Sequence, residues 1–264
     1  MTSPLLGMSD YILETKHLFK EFRGFVAVSD VNLQVERGSI HALIGPNGAG
    51  KTTCFNLLTK FLTPTSGSIH FSGHEITHEK PAQIARRGII RSFQISAVFP
   101  QLTVLENVRI GLQRATGESY RFWRSDKVLK HLDPAAYALL EQVDLAEFAG
   151  ELTVNLPYGR KRALEIATTL AMEPELMLLD EPTQGMGHED VSRVTALIKK
   201  VSIGRTILMV EHNMNVVSQI ADKITVLARG AVLAEGDYQE VSRNADVMQA
   251  YMGTTTGELE GAHA

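Results

Sequence analysis

The octapeptide Gly45-Pro46-Asn47-Gly48-Ala49-Gly50-Lys51-Thr52, followed by Thr53, constrains this chain more than any other stretch. It satisfies G-x-x-x-x-G-K-[ST], and its neighbours have the right character on both sides. Ser39–Ile44 (SIHALI) reads as a buried strand, and from Lys51 onward Cys54, Phe55, Leu57, Leu58, Phe61 and Leu62 recur at helical spacing. A glycine-rich turn between strand and helix lets the backbone wrap around a phosphate chain, with several N–H groups turned inward as an anion nest. Lys51 can reach the β/γ oxygens as a point charge, the Thr52 hydroxyl can ligate Mg²⁺, and the helix start adds its positive dipole end. A match to this pattern arises by accident in roughly 1 of 100 chains of this length, and the strand–turn–helix context lowers those odds.

A metal beside a phosphate chain needs a carboxylate. Leu176-Met-Leu-Leu-Asp180-Glu181 places two at the carboxyl end of an apolar strand, where ligands of open α/β sheets collect. Asp180 fits the Mg²⁺-side carboxylate, acting through metal-bound water. Glu181 fits the group that orients or deprotonates an attacking water. Further strands are expected at Thr206–Val210 and, as a hairpin around Arg229-Gly230, at Ile224–Leu233. Strands embedded among helices favour a mostly parallel sheet covered on both faces. The N-terminal third has short, turn-bounded segments at Tyr11–Leu18, Phe25–Val35 and Ser68–Phe71, which predict an antiparallel β lobe. Helical patterns dominate from about Phe99 to Ala171 and predict an inserted helical lobe.

Composition removes several alternatives. With 26 Lys+Arg against 30 Asp+Glu, the net charge of -4 gives no support to a chain-wide nucleic-acid surface. The single cysteine, Cys54, excludes an internal disulfide and a thiolate zinc site; it is expected to pack as a small hydrophobe in a reducing compartment. No apolar run approaches the roughly 18–20 residues of a membrane-spanning helix. The opening MTSPLLGMSD lacks the basic and apolar regions of a signal peptide, so a cytoplasmic chain is expected.

Over residues 11–253 the chain resembles the ATP-binding subunits of ABC transporters. Three more segments appear in that family's order: Arg91-Ser-Phe-Gln94, Leu156-Pro-Tyr-Gly-Arg-Lys-Arg-Ala-Leu-Glu-Ile-Ala167 and Val210-Glu-His212. The resemblance implies an α/β P-loop NTPase (RecA-like) core, with the β lobe and helical lobe attached. It places the core in residues 1–94 and 172–253, the helical lobe in 95–171, and a flexible tail in 254–264. It also implies roles. Gln94 sits near Mg²⁺ and the attacking water, His212 contacts the γ-phosphate, and Phe22 falls where an aromatic ring stacks on adenine; core packing is the alternative for Phe22.

Pro157, Tyr158, Gly159 and Arg160 occupy the signature segment that meets ATP across a dimer. They depart from the commonest form, LSGGQ, in which a serine stands at Pro157, a glycine at Tyr158 and a glutamine at Arg160. Gly187 likewise stands where an aspartate is usual. The basic run Arg160-Lys161-Arg162 reads by default as a solvated face.

Within the family, L-x-Y-G with basic residues and L-E-I-A, R-[ST]-F-Q, and the close near Ala250-Tyr-Met-Gly253 are similar to branched-chain amino acid importers, in the longer of their two ATPase subunits. The resemblance implies ATP and Mg²⁺ as cofactors. Its partners would be a second ATPase subunit (the same or a related chain), two membrane-spanning permease subunits and, indirectly, a periplasmic solute-binding protein, with no nucleic acid. The chain would sit on the cytoplasmic face of the inner membrane. A urea or amide importer, a lipid or polysaccharide exporter, a non-transport ABC ATPase and a P-loop phosphotransferase stand as alternatives.

Overall fold

A computed structural model describes residues 10–92, 98–115 and 126–251. Gln94 and the 254–264 tail lie outside them. In chain order the first elements are β1 (Tyr11–Phe22), β2 (Phe25–Val31), β3 (Gln34–Glu36), β4 (Ile40–Ile44), α1 (Lys51–Leu58), β5 (Ser66–Phe71) and β6 (His74–Glu75). Next come α2 (Pro81–Arg86), β7 (Ile89–Ser92), α3 (Val104–Ala115), α4 (Asp133–Gln142), α5 (Tyr158–Leu170), β8 (Leu176–Asp180) and α6 (His188–Val201). The last are β9 (Thr206–Val210), α7 (Met214–Ile220), β10 (Lys223–Ala228), β11 (Ala231–Gly236) and α8 (Tyr238–Arg243). The chain divides into two compact units, Met1–Arg87 with Thr206–Ala264, and Gly88–Arg205.

The first unit holds an antiparallel sheet in the order β2-β1-β5-β6, with β3 also paired to β1. The long β1 serves several partners because it is irregular. Its register shifts between Leu18 and Lys20 and again between Lys20 and Glu21, and His17 has φ 50. The same unit carries β11-β10-β4-β9, in which β4 runs parallel to β10 and β9, and β11 closes an antiparallel hairpin. Arg229 and Gly230 turn that hairpin with φ 50 and 83, the twist a two-residue turn requires.

Every residue of β4 and of β9 is buried, as parallel strands covered on both faces should be. His41 in β4 is the exception in chemistry. Its Nε2 meets Thr225 Oγ1 at 2.8 Å, and burial pushes its pKa down to about 4, so the core carries a neutral imidazole.

Helix α1 buries Cys54, Phe55, Leu57 and Leu58. Each such Leu or Phe contributes about 1.5–3 kcal/mol relative to exposure. The helix stops where Thr59 Oγ1 donates to the Phe55 carbonyl at 2.7 Å and Lys60 turns left-handed at φ 62.

In the second unit β7 and β8 pair in parallel, Arg91 opposite Leu178 and Ser92 opposite Leu179. Their register starts at Gly88, whose carbonyl accepts the Glu175 and Leu176 amides at 3.0 and 3.1 Å. Helices α3, α4, α5 and α6 complete the unit, and α5 is buried along most of its length. The Asn107 amide fastens the start of α3, donating to Thr103 O and Thr153 Oγ1, both at 2.9 Å.

Candidate functional site

In the first unit the 45–52 loop has the backbone its glycines predict. Gly45, Gly48 and Gly50 have φ 149, 78 and 100. Two of them are also demanded by close approach. A β-carbon on Gly45 would lie 2.1 Å from Leu227 O, and one on Gly50 would lie 2.5 Å from Ala27 O. The loop is fastened from outside as well, since Gly230 N donates to Ala49 O at 3.0 Å and Ser29 N to Gly230 O at 2.7 Å. Lys51 is buried, and its Nζ donates to Gly45 O at 2.6 Å and Pro46 O at 3.0 Å. Gly50 caps α1 without a side-chain hydrogen bond, so no cap side chain stands between the loop and the start of the helix. Thr52 is exposed and Thr53 half-buried. Cys54, fully buried behind them, has its thiol pushed up to about 12 by burial, which makes it inert at neutral pH.

His212 follows β9 in the same unit and is exposed. Its backbone is set by Glu211, a wholly buried acid whose Oε2 accepts the His212 and Asn213 amides, each at 2.9 Å. Phe22 ends β1 opposite Phe25 and is 41% exposed, with the Lys20 ammonium 5.0 Å from its ring centre. It is a surface aromatic rather than a core one.

In the second unit Asp180 ends β8, 3% exposed, with Arg91 Nη2 at 2.5 Å from its Oδ2. The Asp180 carbonyl accepts from Arg162 Nη2 at 3.2 Å, and Arg162 in turn pairs with Glu165 at 2.5 Å. Glu181 is the next residue, half-buried, at φ 44. A left-handed backbone is costly for a residue with a β-carbon and persists where surroundings impose it. The turn is closed by Gln184 N donating to Glu181 O at 3.1 Å.

Pro157 caps α5, followed by exposed Tyr158 and half-buried Gly159 and Arg160. The expected solvated basic face is only partly there, since Arg160 and Lys161 are half-buried and Arg162 is buried. Arg160 stacks on the Phe148 ring at 3.8 Å, Lys161 donates to Val154 O at 3.0 Å, and Arg162 is buried beneath Asp180. A helix points consecutive residues about 100° apart, so three neighbouring charges meet three different surroundings.

Each unit offers an oxygen donor of the kind a hard divalent ion takes. In the first unit Thr52 presents an exposed hydroxyl. In the second unit the Asp180 carboxylate has an Oδ1 that makes no hydrogen bond among the described residues. Sequence reasoning missed Arg91, Arg162 and Glu211. Arg91 stood inside the R-S-F-Q segment, Arg162 inside the basic run and Glu211 beside His212, but only the fold shows whom they touch.

The ABC transporter family model matches residues 28–184, and a second model, the branched-chain amino acid ATP-binding cassette transporter, matches residues 231–255. The chain belongs to the ABC transporter family. This ABC ATPase is 39% identical to the high-affinity branched-chain amino acid transport ATP-binding protein BraF of Pseudomonas aeruginosa, over 93% of the chain and 99% of BraF. It is 38% identical to LivG of Escherichia coli K12, described in the same words, over 93% of the chain and 99% of LivG. Among solved structures, the ADP conformation of an ATP-binding cassette of an ABC transporter superposes with a TM-score of 0.81 at 29% identity, covering 92% of this chain and 99% of that one. The α/β core with attached antiparallel sheet and helices is thus the ABC ATPase fold. The chain is an ABC ATP-binding protein of the branched-chain amino acid transporter type.

Proposed function

We propose that this chain is the ATP-binding and ATP-hydrolysing subunit of an importer for branched-chain amino acids. The observation that carries the reading is the likeness to BraF and LivG along 93% of the chain, joined to the match of residues 231–255 to a model specific to that transporter type.

Residues 45–53 bind the ATP phosphates through loop amides, Lys51 and the α1 N-terminus. Thr52, Asp180 and Gln94 serve Mg²⁺, which when bound neutralises phosphate charge. Glu181 orients or deprotonates the attacking water, Gln94 stands near it, His212 meets the γ-phosphate and Phe22 stacks on adenine. Pro157, Tyr158, Gly159 and Arg160 face the nucleotide held by a second ATPase subunit. In that role α5 offers the amides of its first turn, while Arg160 stays stacked on Phe148.

Among the described residues no helix is long and apolar enough to cross a membrane. As the likeness to BraF and LivG implies, the chain works as a peripheral subunit on the cytoplasmic face, docked to two permease subunits, with a periplasmic binding protein delivering solute to them. Reconstitution with the membrane subunits in vesicles tests this. ATP-dependent uptake of radiolabelled leucine, isoleucine or valine is expected; uptake of urea or short amides instead, or outward movement of lipid, would contradict it.

A further inference from the structure

Among the described residues the Asp180 carboxylate is held from one side only. Arg91 sits two residues short of it in the β7–β8 register, on the same face of the strand pair, and a long side chain spans the gap. The contact is between Arg91 Nη2 and Asp180 Oδ2, with the two side chains 9% and 5% exposed. Oδ1 carries no hydrogen bond among the described residues, although it belongs to a buried acid. Arg162 fixes the same residue by its main-chain carbonyl. Two arginines from β7 and α5 thus fasten Asp180, and among the described residues one carboxylate oxygen is left uncommitted.

We propose that Arg91 is a positioning residue for the metal. It supplies the counter-charge that lets a buried carboxylate persist, and it fixes the rotamer through Oδ2 so that Oδ1 stays available to hydrated Mg²⁺. This inference rests on Asp180 being the magnesium-side carboxylate. Removing the guanidinium leaves the acid without its cation, free to rotate, and metal binding weakens. The single-point contact uses one nitrogen, so a lysine of similar reach preserves most of it.

The test is a Mg²⁺ titration of fluorescent ATP-analogue binding to the full-length chain, for wild type, R91M, R91K and D180N, with a parallel series in EDTA. Direct metal binding is read with Mn²⁺ by paramagnetic resonance. R91M is expected to raise the half-saturating Mg²⁺ and Mn²⁺ roughly tenfold or more, the usual effect of losing a partner behind a metal ligand. Its nucleotide affinity in EDTA stays at the wild-type value, and R91K returns the metal titration toward wild type. A shifted D180N with an unshifted R91M would overturn the positioning role. So would an R91M whose EDTA affinity falls as far as its Mg²⁺ affinity, since the defect would then be structural. An unshifted D180N would instead remove Asp180 from the metal site. If R91M does not fold, R91Q against R91K is read by the same rules.

Discussion

Asp190 packs against Gly159 so closely that a β-carbon on the glycine would lie 2.5 Å from the aspartate Oδ1 and 2.7 Å from its Cγ. The first turn of α5, where Tyr158, Gly159 and Arg160 stand, is seated directly on the first turn of α6. Only glycine permits that seat without moving one helix start or turning the aspartate.

Gly159→Ala therefore sets a helix-propensity gain of about 1 kcal/mol against an overpacking cost of about 1–3 kcal/mol. The net effect expected is a loss of about 1 kcal/mol, relieved by adding Asp190→Ala. Urea melts of the four proteins in the double-mutant cycle measure it. Strictly additive stabilities would show that the two residues do not press on one another.

Glu181→Gln keeps the size of the side chain and its left-handed backbone but removes the base. Binding of ATP should persist while phosphate release falls by roughly 10²–10⁴-fold, the ordinary worth of general-base catalysis. Phosphate release and nucleotide titration on the same preparation distinguish this from simple unfolding. Near-normal turnover would take Glu181 out of its role.

Lys60 offers a pH dependence whose sign follows from its surroundings. Its amine is buried, Nζ has no hydrogen-bond partner among the described residues, and burial pushes its pKa from 10.5 down to about 8. Between those values the unfolded chain binds a proton that the folded chain does not, so stability rises with pH across that interval. Relative to Lys60→Met, the wild type should gain on the order of 1 kcal/mol from pH 8 to pH 10.5, after solvent screening is allowed for. Denaturant melts of both proteins across that range measure the difference. Parallel pH curves would mean that the amine is solvated in the native state.

Much of this was legible because the informative signals are local. The buried strand before Gly45, the helix after it, the apolar run ending in Asp180 and the Arg229-Gly230 hairpin each carry their pattern within ten residues. Strand β7 was not anticipated, because four residues, Ile89–Ser92, carry too little periodicity to separate from the flanking turns. The fate of the 160–162 charges was hidden for another reason. Whether a basic residue is solvated depends on what packs beside it, and Phe148 and Asp180 are supplied by distant parts of the chain. The same holds for Arg91, whose sequence neighbours give no hint of an aspartate 89 positions away.

The central claim is that the 45–52 loop grips the polyphosphate of ATP, with Lys51 as its cation. Titration of a fluorescent ATP analogue into wild type and Lys51→Ala tests it most directly. Hydrogen bonds to a charged group contribute about 1.5–3 kcal/mol, so the variant should bind roughly 10–100-fold more weakly. Superimposable binding curves for the two proteins would contradict it.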